Sequence, residues 1–287
     1  MITRREWVAL TLLAVSFGLL YEPVLVRLVR DWWTDDNYSH GFLIIPLALY
    51  LAWERRARIA ALPVKPAALG LGVVAGSLAI LVAGSLGAEM FLTRVSLIGT
   101  LAGIVIFLWG WARLRMLIFP LGVLLLMIPI PAIVFNQIAF PLQLLASRFG
   151  EAALNAATIP VLREGNVIVL ANTTLEVAEA CSGIRSLVSL LTLGIVLGYF
   201  FERRLPVRFL LALSTIPVAI VANGTRVAAT GIAAHYYGAG AAEGVLHTFS
   251  GWLVFVVSFM LLFAIQRMFA VLLPHRPRAS AAEASAA

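Results

Sequence analysis

Apolar segments long enough to cross a bilayer recur along most of this 287-residue chain, and they decide what it can fold into. A helix needs about 20 predominantly apolar residues to span the hydrocarbon core. Such segments can be drawn at 8–26, 38–53, 67–86, 91–111, 114–134, 182–201, 209–223 and 248–269. With 62% of residues hydrophobic and 12% charged, too little polar surface exists to coat a soluble core. An average soluble domain carries about 25% charged residues. In lipid every backbone polar group must find a partner within the protein, which favours helices. The expected fold is therefore an all-α polytopic membrane protein of about eight transmembrane helices.

The net charge of +7 does not mark a nucleic-acid binder, because the basic residues sit in short clusters between apolar runs. Arg4–Arg5, Arg55–Arg56–Arg58, Arg113–Arg115, Arg203–Arg204–Arg208 and Arg276–Arg278 fall on one side of an eight-span layout. Asp31, Asp35, Asp36, Glu89, Glu151, Glu164, Glu176, Glu179 and Glu243 fall on the other. The positive-inside rule then places both termini in the cytoplasm. Arg4 and Arg5 precede the first span and no small-residue cleavage site follows it, so a retained anchor is expected. Residues 1–273 read as one transmembrane domain in contact with membrane lipids, and 274–287, rich in alanine and serine, as a disordered cytoplasmic tail. Residues 131–180 read as a cap on the outer side. There 133–158 forms an amphipathic interfacial helix, 167–177 is strand-like, and a turn falls near Ala171-Asn172-Thr173. GxxxG spacings at Gly72–Gly76, Gly99–Gly103 and Gly194–Gly198 permit close helix packing.

Three polar motifs then converge on the outer face. Cys181 is the single cysteine, so it can form no intrachain disulfide. It lies in Ala180-Cys181-Ser182-Gly183-Ile184-Arg185-Ser186, at the start of the sixth span, where free amide groups and nearby Arg185 favour a thiolate. Asn223-Gly224-Thr225-Arg226 closes the seventh span as drawn, and an arginine deep in lipid costs about 2.5–3.5 kcal/mol on insertion scales. Asn223 and Gly224 are expected to supply irregular backbone there. His247, at the start of the last span, can carry protons near neutral pH. Thiol, cation and base are the inventory of acyl transfer. Ser39 and His40, in Tyr38-Ser39-His40-Gly41, also fall on the outer face as candidates for supporting substrate. No close His, Cys and Asp spacing suggests a zinc site, and no metal or other cofactor is expected.

At Ala180-Cys181-Ser182-Gly183-Ile184-Arg185-Ser186, at Asn223-Gly224-Thr225-Arg226 and at His247, the chain resembles the exosortase/archaeosortase family of membrane cysteine transpeptidase-like enzymes. Tyr38-Ser39-His40-Gly41-Phe42 with Pro46 also looks like that family's N-terminal stretch. The resemblance implies cleavage of exported proteins that end in a short PEP-type motif, a transmembrane helix and a basic cluster. It implies the outer face of a bacterial inner membrane as the place. It makes Cys181 the acyl-thioester nucleophile, with proton donation by Arg226 and transition-state stabilisation by His247. Physical chemistry favours the reverse division, because a guanidinium holds its proton too tightly to be a good acid. Two rival readings stand beside this one. A transferase or phosphatase for polyprenyl-phosphate lipids would hold phosphate with Arg185, Arg226 and His247 but needs no thiol. A transporter would place polar groups at mid-membrane.

Overall fold

The computed structural model describes residues 4–35, 37–171, 173–176, 183–238 and 245–272. The described residues are 82% helical, and the chain divides into two compact units, Met1–Val134 and Phe135–Ala287. Among the described residues, five helices are long and apolar enough to cross a membrane. Trp111–Met127 and Ala132–Ala156 make a sixth if counted as one bent span, and Gly41–Glu54 and Leu187–Phe201 are shorter apolar helices.

In the first unit, α1 (Arg4–Thr34) runs eight residues beyond the expected end of its span, with Pro23 inside it. It is followed by α2 (Gly41–Glu54), the short α3 (Arg56–Ala61), α4 (Leu69–Leu86), α5 (Met90–Trp109) and α6 (Trp111–Val123). A 3-10 turn, Leu124–Met127, ends the last of these, so the expected fifth span breaks before Pro129-Ile130-Pro131. The α4–α5 hairpin is tight because glycines remove the atoms that would hold the helices apart. A Cβ at Gly99 would lie 2.5 Å from Ser77 Oγ, and one at Gly103 would lie 2.8 Å from Val74. Gly70 abuts the backbone of Phe107, whereas Gly72 and Gly76 face open space, so α4 packs through Gly70 and not through its GxxxG pair. Polar groups inside this unit are matched to one another. Tyr21, fully buried, bonds Thr100 Oγ1 at 2.8 Å and Ser96 Oγ at 3.1 Å. Arg94, buried in α5, is paired with Asp31 of α1.

The second unit holds all but the first three residues of α7 (Ala132–Ala156), then an antiparallel sheet of β1 (Leu162–Glu164), β2 (Val167–Val169) and β3 (Thr174–Glu176). Strands two and three occupy the stretch expected to be strand-like. Strand one, which was not expected, adds a third strand to that hairpin, and it is short enough to carry almost no periodic signal. Gly165, at φ +65°, makes the β1–β2 turn, and Leu170 N–H donates to the Thr173 carbonyl at 2.8 Å across the next. The pleat aims Ile168 and Leu175 at α7, where they join Ala146, Leu154, Ile159 and Leu170 in one apolar core. Arg163 Nε donates to Glu151 Oε2 at 2.6 Å, and Ser147 Oγ donates to the Gly165 carbonyl at 2.9 Å, fastening sheet to helix.

Three long helices complete this unit: α8 (Gly183–Phe201), α9 (Leu205–Tyr237) and α10 (Val245–Leu272). Glu202 caps the α8–α9 turn by accepting from Arg203 N–H at 2.8 Å and Arg204 N–H at 2.9 Å. Leu190, Leu197, Leu211, Val218, Ala219 and Leu262 form their shared core. Gly194 admits the Thr215 methyl group, with a Cβ position only 2.6 Å away.

Candidate functional site

Arg226 and Asn223 are buried side chains on α9, 8% and 6% exposed. The helix does not end at Asn223 as the span layout expected; it runs unbroken to Tyr237, and 223–226 is regular helix. Packing overrides the weak helix propensity of Asn223 and Gly224. Gly224 lets the Phe149 ring of α7 approach, so that a Cβ there would be 2.5 Å from Phe149 Cδ1. One turn on, Val227 fills the space left by Gly150, and it is the α9 member of the core beneath the sheet. Arg226 is thus flanked on its own helix by two residues seated on α7.

Its guanidinium lies against α10. A Cβ at Gly251 would stand 3.3 Å from Arg226 Nη2 and 3.4 Å from Cζ. A glycine leaves the flat cation unhindered at that crossing, where any Cβ would press on it by a few tenths of an ångström. Packing also fixes the helix directions. Leu262, late in α10, joins Leu211, early in α9, while Gly251, early in α10, meets Arg226 further along α9. The two helices are therefore antiparallel. The rise from Leu205 to Arg226 is about 31 Å at 1.5 Å per residue, and that from Leu272 back to Gly251 is the same. Both contacts sit about one hydrocarbon thickness, roughly 30 Å, from the α8–α9 turn.

Position 247 lies on α10 one helical turn before Gly251, and α8 starts at Gly183 at the same end of the three-helix group. The backbone thus gathers the arginine, the histidine position and the start of the sixth expected span at one end. Of Arg185 and His247 the structure describes the backbone. Cys181 and Ser182 lie outside the described residues.

Ser39 and His40 belong to the first unit. Ser39 is exposed in the turn before α2. The Nε2 of His40 meets the Leu126 carbonyl at 3.1 Å, so this side chain is committed to backbone. Phe149, Gly150 and Gly251, the residues that seat Arg226, were not found from the sequence. The spacing of Gly251 four residues after His247 was the available signal, since that separation shares a helix face. Among the described residues, no three His, Cys, Asp or Glu side chains form a group able to hold a metal ion.

Fold and site define a multi-pass helical membrane protein with a cation buried between two of its long helices. Residues 32–264 match the family model of the transmembrane exosortases, and the chain belongs to that family. Comparison with curated proteins and with solved structures gives no match.

Proposed function

We propose that this chain is a membrane-embedded cysteine peptidase or transpeptidase that cleaves the C-terminal sorting signals of exported proteins. Its eight crossings leave both termini in the cytoplasm and the α7–sheet cap on the outer side of a bacterial inner membrane. The observation that carries the reading is the burial of Arg226 against Gly251, one turn from position 247, in a chain of the exosortase family.

In this reading the Cys181 thiol passes its proton to His247, and the thiolate attacks the carbonyl carbon of the scissile bond. Arg226, a permanent cation, stabilises first the thiolate and then the oxyanion. His247 returns the proton to the departing amine as the carbon–nitrogen bond breaks, leaving an acyl-thioester on Cys181. A water or amine acceptor attacks that thioester, loses its proton to His247, and the released thiolate is reprotonated. Buried polar groups deeper in the bundle support chemistry at one end over transport. Thr215 Oγ1 donates to the Ala212 carbonyl at 2.6 Å and Ser258 Oγ to that of Val254 at 2.7 Å, so both serve their own helices.

The test is to express a substrate bearing a C-terminal motif, hydrophobic helix and basic cluster with each Cys181 variant. Cys181→Ala should abolish processing while the protein stays inserted, and Cys181→Ser should be nearly inactive because a hydroxyl is rarely ionised near neutral pH. Wild-type processing by the alanine variant would sink the reading.

A further inference from the structure

The break between α6 and α7 carries two prolines, and they dictate an unmet need. In a continuing helix the Leu125 and Met127 carbonyls would accept from the N–H groups of residues 129 and 131. Both are proline, which has none. The segment is interior: Met127 and Ile128 are each 2% exposed. A backbone polar group left without a partner in an apolar setting costs several kcal/mol. Leu125 is served locally, its carbonyl accepting from Ile128 N–H at 3.2 Å.

The others are met from the last turn of α1 and the stretch that links it to α2. Trp32 Nε1 donates to the Met127 carbonyl at 2.9 Å. The His40 ring bonds the Leu126 carbonyl through Nε2, which fixes the tautomer with its proton there. The Ile130 N–H donates to the Tyr38 hydroxyl at 3.2 Å. Trp32 and Tyr38 are buried, 3% and 6% exposed. The indole is held against Gly41, where any Cβ would collide with it, and edge-on to the Phe42 ring at 5.3 Å. One short stretch thus supplies three hydrogen bonds to the backbone of 126–130.

We propose that Trp32, Tyr38 and His40 are positioning residues that act through the α6–α7 break. They hold the start of α7, the helix whose Phe149 and Gly150 seat Gly224 and Val227 on either side of Arg226. This rests on the peptidase reading above for its effect on turnover, but not for the clamp itself. It also assigns His40 to backbone support and removes it from the substrate-contacting set.

The test uses the full-length chain in lipid nanodiscs, with fragment-resolved hydrogen exchange over 124–131 and processing kinetics measured on the same variants. Tyr38→Phe removes only the acceptor of Ile130 and is mild enough to fold. It should raise exchange at Ile130 roughly three- to tenfold, the worth of one hydrogen bond. His40→Ala should lower kcat with KM changed less than about twofold, whereas His40→Gln, which keeps an N–H donor, should recover much of the loss. Unchanged exchange over 124–131 in both Tyr38→Phe and His40→Ala would overturn the clamp. So would a rise in KM alone, which would mean that His40 touches substrate. If exchange rises yet processing is insensitive even to Cys181→Ala, the clamp stands and the peptidase reading falls.

Discussion

Gly251 offers a substitution whose effects on stability and on activity should have opposite signs. Replacing it with alanine puts a methyl carbon 3.3 Å from Arg226 Nη2, a few tenths of an ångström inside comfortable contact. The guanidinium is the far end of a flexible side chain and can yield by that amount. Inside a helix, alanine gains about 0.5–1 kcal/mol over glycine through reduced backbone freedom. Gly251→Ala should therefore be as stable as the parent or slightly more so. Activity should nonetheless fall several-fold, because in the proposed mechanism the displaced group is the cation that meets the developing negative charge. Gly251→Leu cannot be accommodated in this way. Its added carbons occupy the guanidinium position, with an overpacking cost of about 1–3 kcal/mol. A displacement on the order of 1 Å at a catalytic group costs up to about 10²-fold in rate. The assay pairs processing of a signal-bearing substrate in membranes with thermal unfolding in detergent. Gly251→Leu that is folded and processes at the parental rate would refute the placement of Arg226 in the site. Gly251→Ala that loses stability in step with activity would show that the glycine serves packing alone.

Three further outcomes follow from the same geometry. Gly70→Ala drives a methyl group into the Phe107 backbone and should destabilise the first unit by more than about 1 kcal/mol, whereas Gly72→Ala, facing open space, should be neutral or stabilising; equal melting temperatures would contradict the α4–α5 packing. A topology reporter fused after Arg204 should be cytoplasmic and one inserted near Gly240 external; the reverse pattern would remove the outer-face site. Turnover in His247→Gln should fall by about 10²–10⁴-fold, and what remains should lack the acid limb that a proton-carrying imidazole would give the parent's pH profile, while Arg226→Lys keeps a cation and some activity. A pH profile unchanged in His247→Gln would return the proton-carrying role to another group.

Hydrophobic patterning carried the membrane class and the rough position of each helix, because lipid tolerates little else over 20 residues. Helix ends were less legible, for identifiable reasons. Thr34 and Tyr237 lie beyond the apolar runs, and polar residues such as Asp31 and Arg226 are accommodated by neighbouring helices. Asp31 pairs with Arg94 and Arg226 packs against Gly251, partners that are distant in sequence. Asn223-Gly224 looks like a helix end in isolation; only Phe149, more than 70 residues earlier, shows why the glycine is needed inside a helix. The β2–β3 hairpin announced itself through Val167, Ile168, Val169 and the turn residues, while Leu162–Glu164 was too short to do so. The two prolines at 129 and 131 were visible as a break. That Trp32, Tyr38 and His40 answer them could not be read from spacing, since the partners are 86 to 95 residues apart.

The most direct measurement for the cysteine mechanism is capture of the covalent intermediate. Membranes holding the full chain and a signal-bearing substrate would be acid-quenched early in turnover, digested and analysed by mass spectrometry. The expected result is the N-terminal substrate fragment attached to the peptide containing Cys181, released by hydroxylamine as a thioester should be, and missing from Cys181→Ala. Substrate cleaved at the parental rate with no adduct on Cys181, or an adduct on a different residue, would contradict the assignment of Cys181 as nucleophile.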